Sequence, residues 1–158
     1  NKILSKNLIR KYDFIISFGY RKIIPSKILS SLKRPIINLH ISYLPYNRGA
    51  YSNFWSFLKN TPKGVSIHEI DKGIDTGDIL FRKKIIFKLN KNTSFRSTYK
   101  ILFNVIEKLF KKNYKPIVDG NYTKKKQLSK KKLNLKSELP KNFNWNISIL
   151  KFLKTYKT

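Results

Sequence analysis

Pro35-Ile36-Ile37-Asn38-Leu39-His40-Ile41-Ser42 is the stretch whose reading decides the fold. As an extended strand it points successive side chains to opposite faces. Ile37, Leu39 and Ile41 then share one side, while Asn38 and His40, with Ser42 next in line, share the other. Upstream, Asp13-Phe14-Ile15-Ile16-Ser17-Phe18-Gly19 is a short apolar block closed by Gly, which suits a parallel strand buried on both faces. Between the two, Ile23-Ile24-Pro25 leads into a short helix running to Leu32, with Pro25 in its first turn. Strand, helix and strand make a parallel crossover unit, so the fold class is α/β. The polar side chains fall toward the carboxyl end of the second strand, where open α/β folds bind their ligands.

Downstream, Leu44-Pro45-Tyr46-Asn47-Arg48-Gly49 is turn chemistry, and residues 50–59 are helical, with Phe54, Trp55 and Phe57 read as core. Residues 65–70 alternate as a strand in which His68 reads as an ordinary strand residue, and residues 79–87 form another. The loop between them, 71–78, makes the pair a long-loop hairpin. From 93 to 112 the apolar residues Tyr99, Leu102, Phe103, Ile106, Leu109 and Phe110 recur at helical spacing, which predicts a long helix packed on the sheet. Beyond Gly120 the chain turns Lys-rich at 124–126 and 130–132, before a last apolar cluster at Phe143, Trp145, Ile147 and Ile149. This divides the chain into a main part over 1–121 and a loosely attached tail over 122–158.

The chain has 158 residues, no Cys and a net charge of +27. Disulfides and thiolate metal sites are therefore excluded. No apolar run approaches the roughly 20 residues that span a bilayer, and no apolar signal-peptide core opens the sequence. A soluble protein with no membrane insertion is expected. Only six of the 35 basic residues are Arg, whereas nucleic-acid readers favour its bidentate fork. Abundant Lys, Asn and Ile together suit an AT-rich coding sequence. Nucleic acid is thus not expected as the specific partner, although salt-dependent adhesion to it follows from the charge. The chain also lacks Met, which reads as the mark of a fragment.

Acidic residues are scarce, so their placement informs. Four of the eight, Glu69, Asp71, Asp75 and Asp78, fall within ten residues, as a required site would keep them. A Gly-rich loop also favours Asp for local backbone hydrogen bonds.

Four ordered motifs now stand together: 38–45 (Asn-Leu-His-Ile-Ser-Tyr-Leu-Pro), Arg48-Gly49, 64–68 (Gly-Val-Ser-Ile-His) and 73–79 (Gly-Ile-Asp-Thr-Gly-Asp-Ile). This resembles the folate-dependent formyltransferases, the family of the glycinamide ribonucleotide and methionyl-tRNA enzymes. Residues 43–50 and 53–56 are most similar to the sugar-nucleotide N-formyltransferases of bacterial surface-polysaccharide synthesis. The resemblance implies the C-terminal part of a Rossmann-like domain, with parallel strands followed by a hairpin and a long helix. It implies further strands ahead of Asp13, and a fragment inactive by itself. It implies transfer of a formyl group from 10-formyltetrahydrofolate to the amine of a nucleotide-linked amino sugar, in the cytoplasm, without a metal. Asn38, His40 and Asp75 take the catalytic positions: the Asn38 amide as a donor to the developing oxyanion, His40 as a second donor if protonated and as a carrier of protons between the attacking nitrogen and the leaving folate nitrogen, and Asp75 favouring imidazolium and organising a water for proton transfer. Substrate or donor contacts are implied at Phe18, Gly19, Tyr20, Ser42, Arg48, Gly49 and Gly73. Ser42 either serves there or braces the turn before Pro45, and Arg48 is either a structural cation or a contact for an anionic substrate. A homodimer is a further expectation. Methionyl-tRNA formyltransferase is the first alternative, and an inactive basic nucleic-acid-binding module on the same fold is the second.

Overall fold

Four strands, β1 (Ile16–Phe18), β2 (Ile37–His40), β3 (Lys63–Glu69) and β4 (Ile79–Ile85), form one sheet in the order β1-β2-β3-β4. The coordinates are a computed structural model that describes residues 4–9, 11–127 and 132–156. β1 and β2 are parallel, and β2, β3 and β4 run antiparallel. The expected crossover unit and long-loop hairpin are both present. Around the sheet lie α1 (Lys6–Ile9), α2 (Ser26–Leu29), α3 (Ser52–Leu58), α4 (Phe95–Lys112), α5 (Tyr114–Asp119) and α6 (Ile149–Tyr156), with a 3₁₀ turn at Lys136–Glu138. Among the described residues, no helix is long and apolar enough to cross a membrane.

The alternation in β2 is realised: Ile37 and Leu39 are buried while Asn38 and His40 are half-buried on the other face. The buried face packs with Val65, Ile67 and Leu80 against Leu102, Ile106 and Ile117. These last residues come from α4 and α5. α4 starts two residues into the predicted span because Ser94 is its N-cap and is bonded reciprocally with Ser97. Ser94 Oγ accepts from the Ser97 N–H at 3.1 Å, and Ser97 Oγ accepts from the Ser94 N–H at 2.9 Å. Such a cap satisfies two backbone donors that the first helical turn leaves open. Only part of the predicted apolar stripe faces the sheet. Leu102 and Ile106 are buried, whereas Tyr99 and Phe103 are exposed. Ile106 is fully buried in this cluster, so Ile106→Ala is expected to destabilise the fold by about 3 kcal/mol, read as a lowered urea midpoint at unchanged m-value.

Two expectations are corrected. β1 is not buried on both faces: Ile16 and Phe18 are 36% and 40% exposed. It pairs with β2 alone among the described residues, so it is an edge strand there, and Phe18 meets the Phe103 ring of α4 at 5.1 Å. The C-terminal part is not loosely attached either. Phe54, Trp55 and Phe57 of α3, Phe95 of α4 and Ile149 of α6 form one buried cluster, with Phe143, Trp145 and Phe152 packed on it. Backbone bonds tie the pieces together: Ile149 N–H donates to the Thr93 carbonyl (2.9 Å) and Arg96 N–H to the Trp145 carbonyl (2.8 Å). The apolar cluster read at the end of the sequence is thus the outer half of a core whose inner half is α3 and α4. Of the second Lys run, Lys130 and Lys131 lie outside the described residues.

Candidate active site

β2 delivers Asn38 and His40 on its polar face, and register with β3 places His68 directly beside Asn38. His68 is fully buried. Its Nδ1–H donates to the Glu69 carbonyl at 2.7 Å, which leaves Nε2 as the acceptor for the Asn38 amide at 3.1 Å. The Asn38 side chain is therefore oriented by one of its two amide N–H groups, which His68 holds.

Asp75 enters this space from the loop between β3 and β4. Its Oδ2 lies 3.5 Å from His40 Nε2 and its Oδ1 lies 3.6 Å from His68 Nε2. The Gly49 N–H donates to Oδ2 at 2.8 Å. Ser52 Oγ sits 3.4 Å from His40 Nε2. The two imidazoles meet edge to face, with centroids 5.9 Å apart. Asp75 adopts φ 53, a left-handed backbone conformation that costs a non-Gly residue about 1–3 kcal/mol and persists only where surrounding contacts impose it.

Burial acts on Asp75 and His40 in opposite senses. For Asp75 it raises the pKa, but the facing His40 ring and the Gly49 N–H lower it further and hold the carboxyl well below the usual carboxylate range. For His40 burial is the largest influence and lowers the pKa, more than the Asp75 carboxylate raises it. Partial loss of hydration favours the neutral ring, which suits the proton-carrying role expected of His40 more than that of a standing oxyanion donor. The site thus sets an ionised carboxylate beside the His40 and His68 rings, with the Asn38 amide oriented next to them. Such a set can donate a hydrogen bond to a developing oxyanion through Asn38, and can take up and return a proton through His40.

A cavity of about 520 Å³ is lined by Arg48, Asp71, Gly73, Ile74, Thr76, Gln127 and Leu133, on the loop that carries Asp75, and none of Asn38, His40, His68 and Asp75 is in its wall. Arg48 and Gly73 are thus brought to the site's margin, and Gly49 is in it. Ser42 is buried and braces the turn: its Oγ donates to the Tyr46 carbonyl at 2.6 Å. Phe18 is paired in register with Leu39, which puts Gly19 and Tyr20 at the strand end where His40 stands, but none of the three lines the cavity. Tyr20 packs instead in a satellite core around Ile9, Ile24, Ile28 and Ile36, and its hydroxyl accepts from the Leu4 N–H at 3.3 Å. Among the described residues no group of three or more His, Cys, Asp or Glu is placed to hold a metal ion.

Three neighbours of the site escaped the sequence reading. His68 carried one signal, the alternation that sets it on the same strand face as Ser66; nothing local showed which residue of β2 it would meet. Ser52 and Gln127 carried none. Gln127 Nε2 donates to the carbonyls of Asp75 (3.1 Å) and Gly77 (2.7 Å) across 52 and 50 residues of sequence.

The sequence pattern of the family described as Formyl transferase matches residues 2–103. Among solved structures, the formyltransferase PseJ from Anoxybacillus kamchatkensis, in complex with UDP-4,6-dideoxy-4-formamido-L-AltNAc and tetrahydrofolate, is 39% identical. It superposes with a TM-score of 0.85 over 96% of this chain and 82% of its own. Among curated proteins, a dTDP-4-amino-4,6-dideoxyglucose formyltransferase from Mycobacterium bovis is 29% identical over 131 residues, covering 83% of this chain and 54% of its own length. A methionyl-tRNA formyltransferase from Prochlorococcus marinus is 34% identical over 128 residues, covering 80% of this chain and 38% of its own. This chain spans about half the length, or less, of the curated relatives it matches.

Proposed function

The chain belongs to the formyl transferase family, and from that premise we propose that the protein transfers a formyl group from 10-formyltetrahydrofolate to the amine of a nucleotide-linked amino sugar, in the cytoplasm. The observation that carries this reading is the convergence of Asn38, His40 and Asp75 at the carboxyl end of β2, with the carboxylate 3.5 Å from His40. The likeness to PseJ, whose structure holds a formylated amino-sugar nucleotide and tetrahydrofolate, supports this choice of donor and acceptor.

In the proposed reaction the acceptor amine attacks the formyl carbon, and the C–N bond to the folate nitrogen breaks as the new formamide forms. The carbonyl oxygen gains negative charge on the way, and the Asn38 amide N–H stabilises it. The amine loses a proton that the folate nitrogen regains. A neutral His40 accepts that proton and returns it, and the adjoining Asp75 carboxylate stabilises the ring while it is charged. This differs from a site in which a permanent imidazolium binds the oxyanion, and the difference follows from the burial of His40. The cavity has the size of a small-molecule site, and Arg48 in its wall offers a guanidinium to the phosphates of the acceptor.

The test is an assay of the full-length protein that contains this chain, with 10-formyltetrahydrofolate and UDP- or dTDP-linked amino sugars, scored by mass for the gain of one CO in the sugar nucleotide. A folded protein that formylates none of them would count against the acceptor class. Formylation of methionyl-tRNA in its place would point to the first alternative. Isothermal titration with a folate analogue and with a short RNA checks the second: tight RNA binding at physiological salt without folate binding would make the chain a basic binding module.

A further inference from the structure

The loop that carries Asp75 is held from a segment that lies outside the family's matched span of 2–103. Residues 121–127 return along the hairpin. Ile79 and Lys125 exchange both backbone hydrogen bonds at 2.9 Å, and Lys124 and Tyr122 both contact the Glu69 carboxylate, at 2.6 and 3.3 Å. That anchoring aims Gln127 at the loop. Its single amide nitrogen donates to the carbonyls of Asp75 and Gly77, one on either side of Thr76. The other end of the amide is left over: Gln127 Oε1 is buried without a hydrogen-bond partner among the described residues. Orphaned buried acceptors are rare in native structures and call for an explanation. Here the two carbonyls dictate which way the amide turns, and the acceptor end is stranded as a result. The same short loop thus carries two local penalties, the left-handed backbone at Asp75 and the stranded acceptor on Gln127. Both are consequences of fixing one carboxylate.

We propose that Gln127 is a positioning residue, which holds the Asp75 carboxylate against His40 and Gly49 by clamping the backbone on both sides of Thr76. Gln127 touches neither imidazole and is not a catalytic residue. It acts through the loop, and its importance for turnover rests on the reading of Asp75 as part of the transfer site.

The experiment uses two variants of the full chain. Gln127→Leu removes both donors at similar volume. Gln127→Glu keeps the shape but sets oxygen against oxygen. The first readout needs no substrate: amide hydrogen exchange at Gly49, whose N–H bonds to Asp75 and not to Gln127. Both variants are expected to speed exchange at Gly49 by about tenfold or more while Ile106, in the core, keeps its protection. The second readout is turnover, where a displaced carboxylate lowers kcat by roughly 100-fold with a much smaller change in KM. Unchanged exchange at Gly49 in a folded variant overturns the clamp. Loss of protection at Ile106 overturns it as well, since the residue would then hold the whole fold and not one loop. If the wild-type protein shows no formyl transfer, the exchange readout still decides the clamp, and only the proposed function fails.

Discussion

Asp75→Asn is expected to lower kcat for formyl transfer by roughly 10³-fold, in the range spanned by general acid–base and electrostatic contributions to catalysis. The amide is nearly isosteric and its oxygen can still accept from the Gly49 N–H, so the loop keeps its shape and the protein stays folded. What disappears is the charge. His40, already lowered by burial, loses the one influence that raises its pKa and holds a proton less well at the moment the amine releases one. The variant also carries a stability signature with a definite sign. The folded-state pKa of Asp75 is depressed, so its ionisation stabilises the fold above the ordinary carboxylate range. That contribution is lost as the pH falls below about 4. Wild-type stability should therefore decline more steeply on acidification than that of Asp75→Asn, measured by urea unfolding at pH 7 and pH 3. A variant with near wild-type kcat, or with an unaltered acid slope, would remove Asp75 from the role given to it.

Gly49→Ala should damage the fold and the site together. Gly49 has φ +90, and a Cβ there would press into the Asn134 carbonyl oxygen and lie 2.6 Å from Leu133 Cδ1. The backbone on both sides is tied to the same residue: Ala50 N–H donates to the Asn134 carbonyl and Asn134 N–H to the Arg48 carbonyl, each at 3.0 Å. Room for the methyl group comes only by pushing residues 133–134 away, which breaks this pair and shifts the N–H that holds Asp75. The positive φ and the lost hydrogen bonds together suggest destabilisation of roughly 3 kcal/mol, with loss of turnover exceeding what the stability change explains. Gly120→Ala separates the two causes. Gly120 has φ +74 but only Arg34 Nη2, at 3.7 Å, near the position of a Cβ. It should show conformational strain alone, about 1–2 kcal/mol, at undiminished kcat. Equal effects from the two substitutions would show that the close approach at Gly49 is unimportant.

The C-terminal segment explains why these effects reach so far. Asn134 holds the backbone at Arg48 and Ala50, its side-chain oxygen accepts from Lys59 Nζ, and Gln127 holds the Asp75 loop. A stretch read as a Lys-rich tail is thereby the outer support of both loops that meet at the carboxylate. Charge pattern described its solvent face correctly and said nothing of its inner one. Leu133, Asn134 and Gln127 are separated by too few apolar neighbours to show a period.

Asn38 and His40 could be assigned to one face from the sequence because strand alternation is a local, two-residue property of the backbone. The burial of Leu102 and Ile106 was legible for the same reason at the helical period. Asp75 stood out because carboxylates are so few in this chain. These features depend on nearest neighbours or on residue chemistry, so one dimension suffices to read them, and they determined the α/β class and the hairpin, while the choice of Asn38, His40 and Asp75 as a set came from the resemblance of the ordered motifs to the formyltransferases. Tertiary structure decided the rest. Which residue of β3 faces Asn38 is a matter of register between strands, and it made His68 a partner of the amide. Whether β1 is covered depends on what lies across it in space. The downward pull on the His40 pKa comes from burial, which acts against a carboxylate 3.5 Å away. The fixing of Asp75 required a glutamine 52 residues distant. Contacts between residues far apart in the chain leave no periodic trace in the sequence, and they are the ones that set this site's geometry and charge.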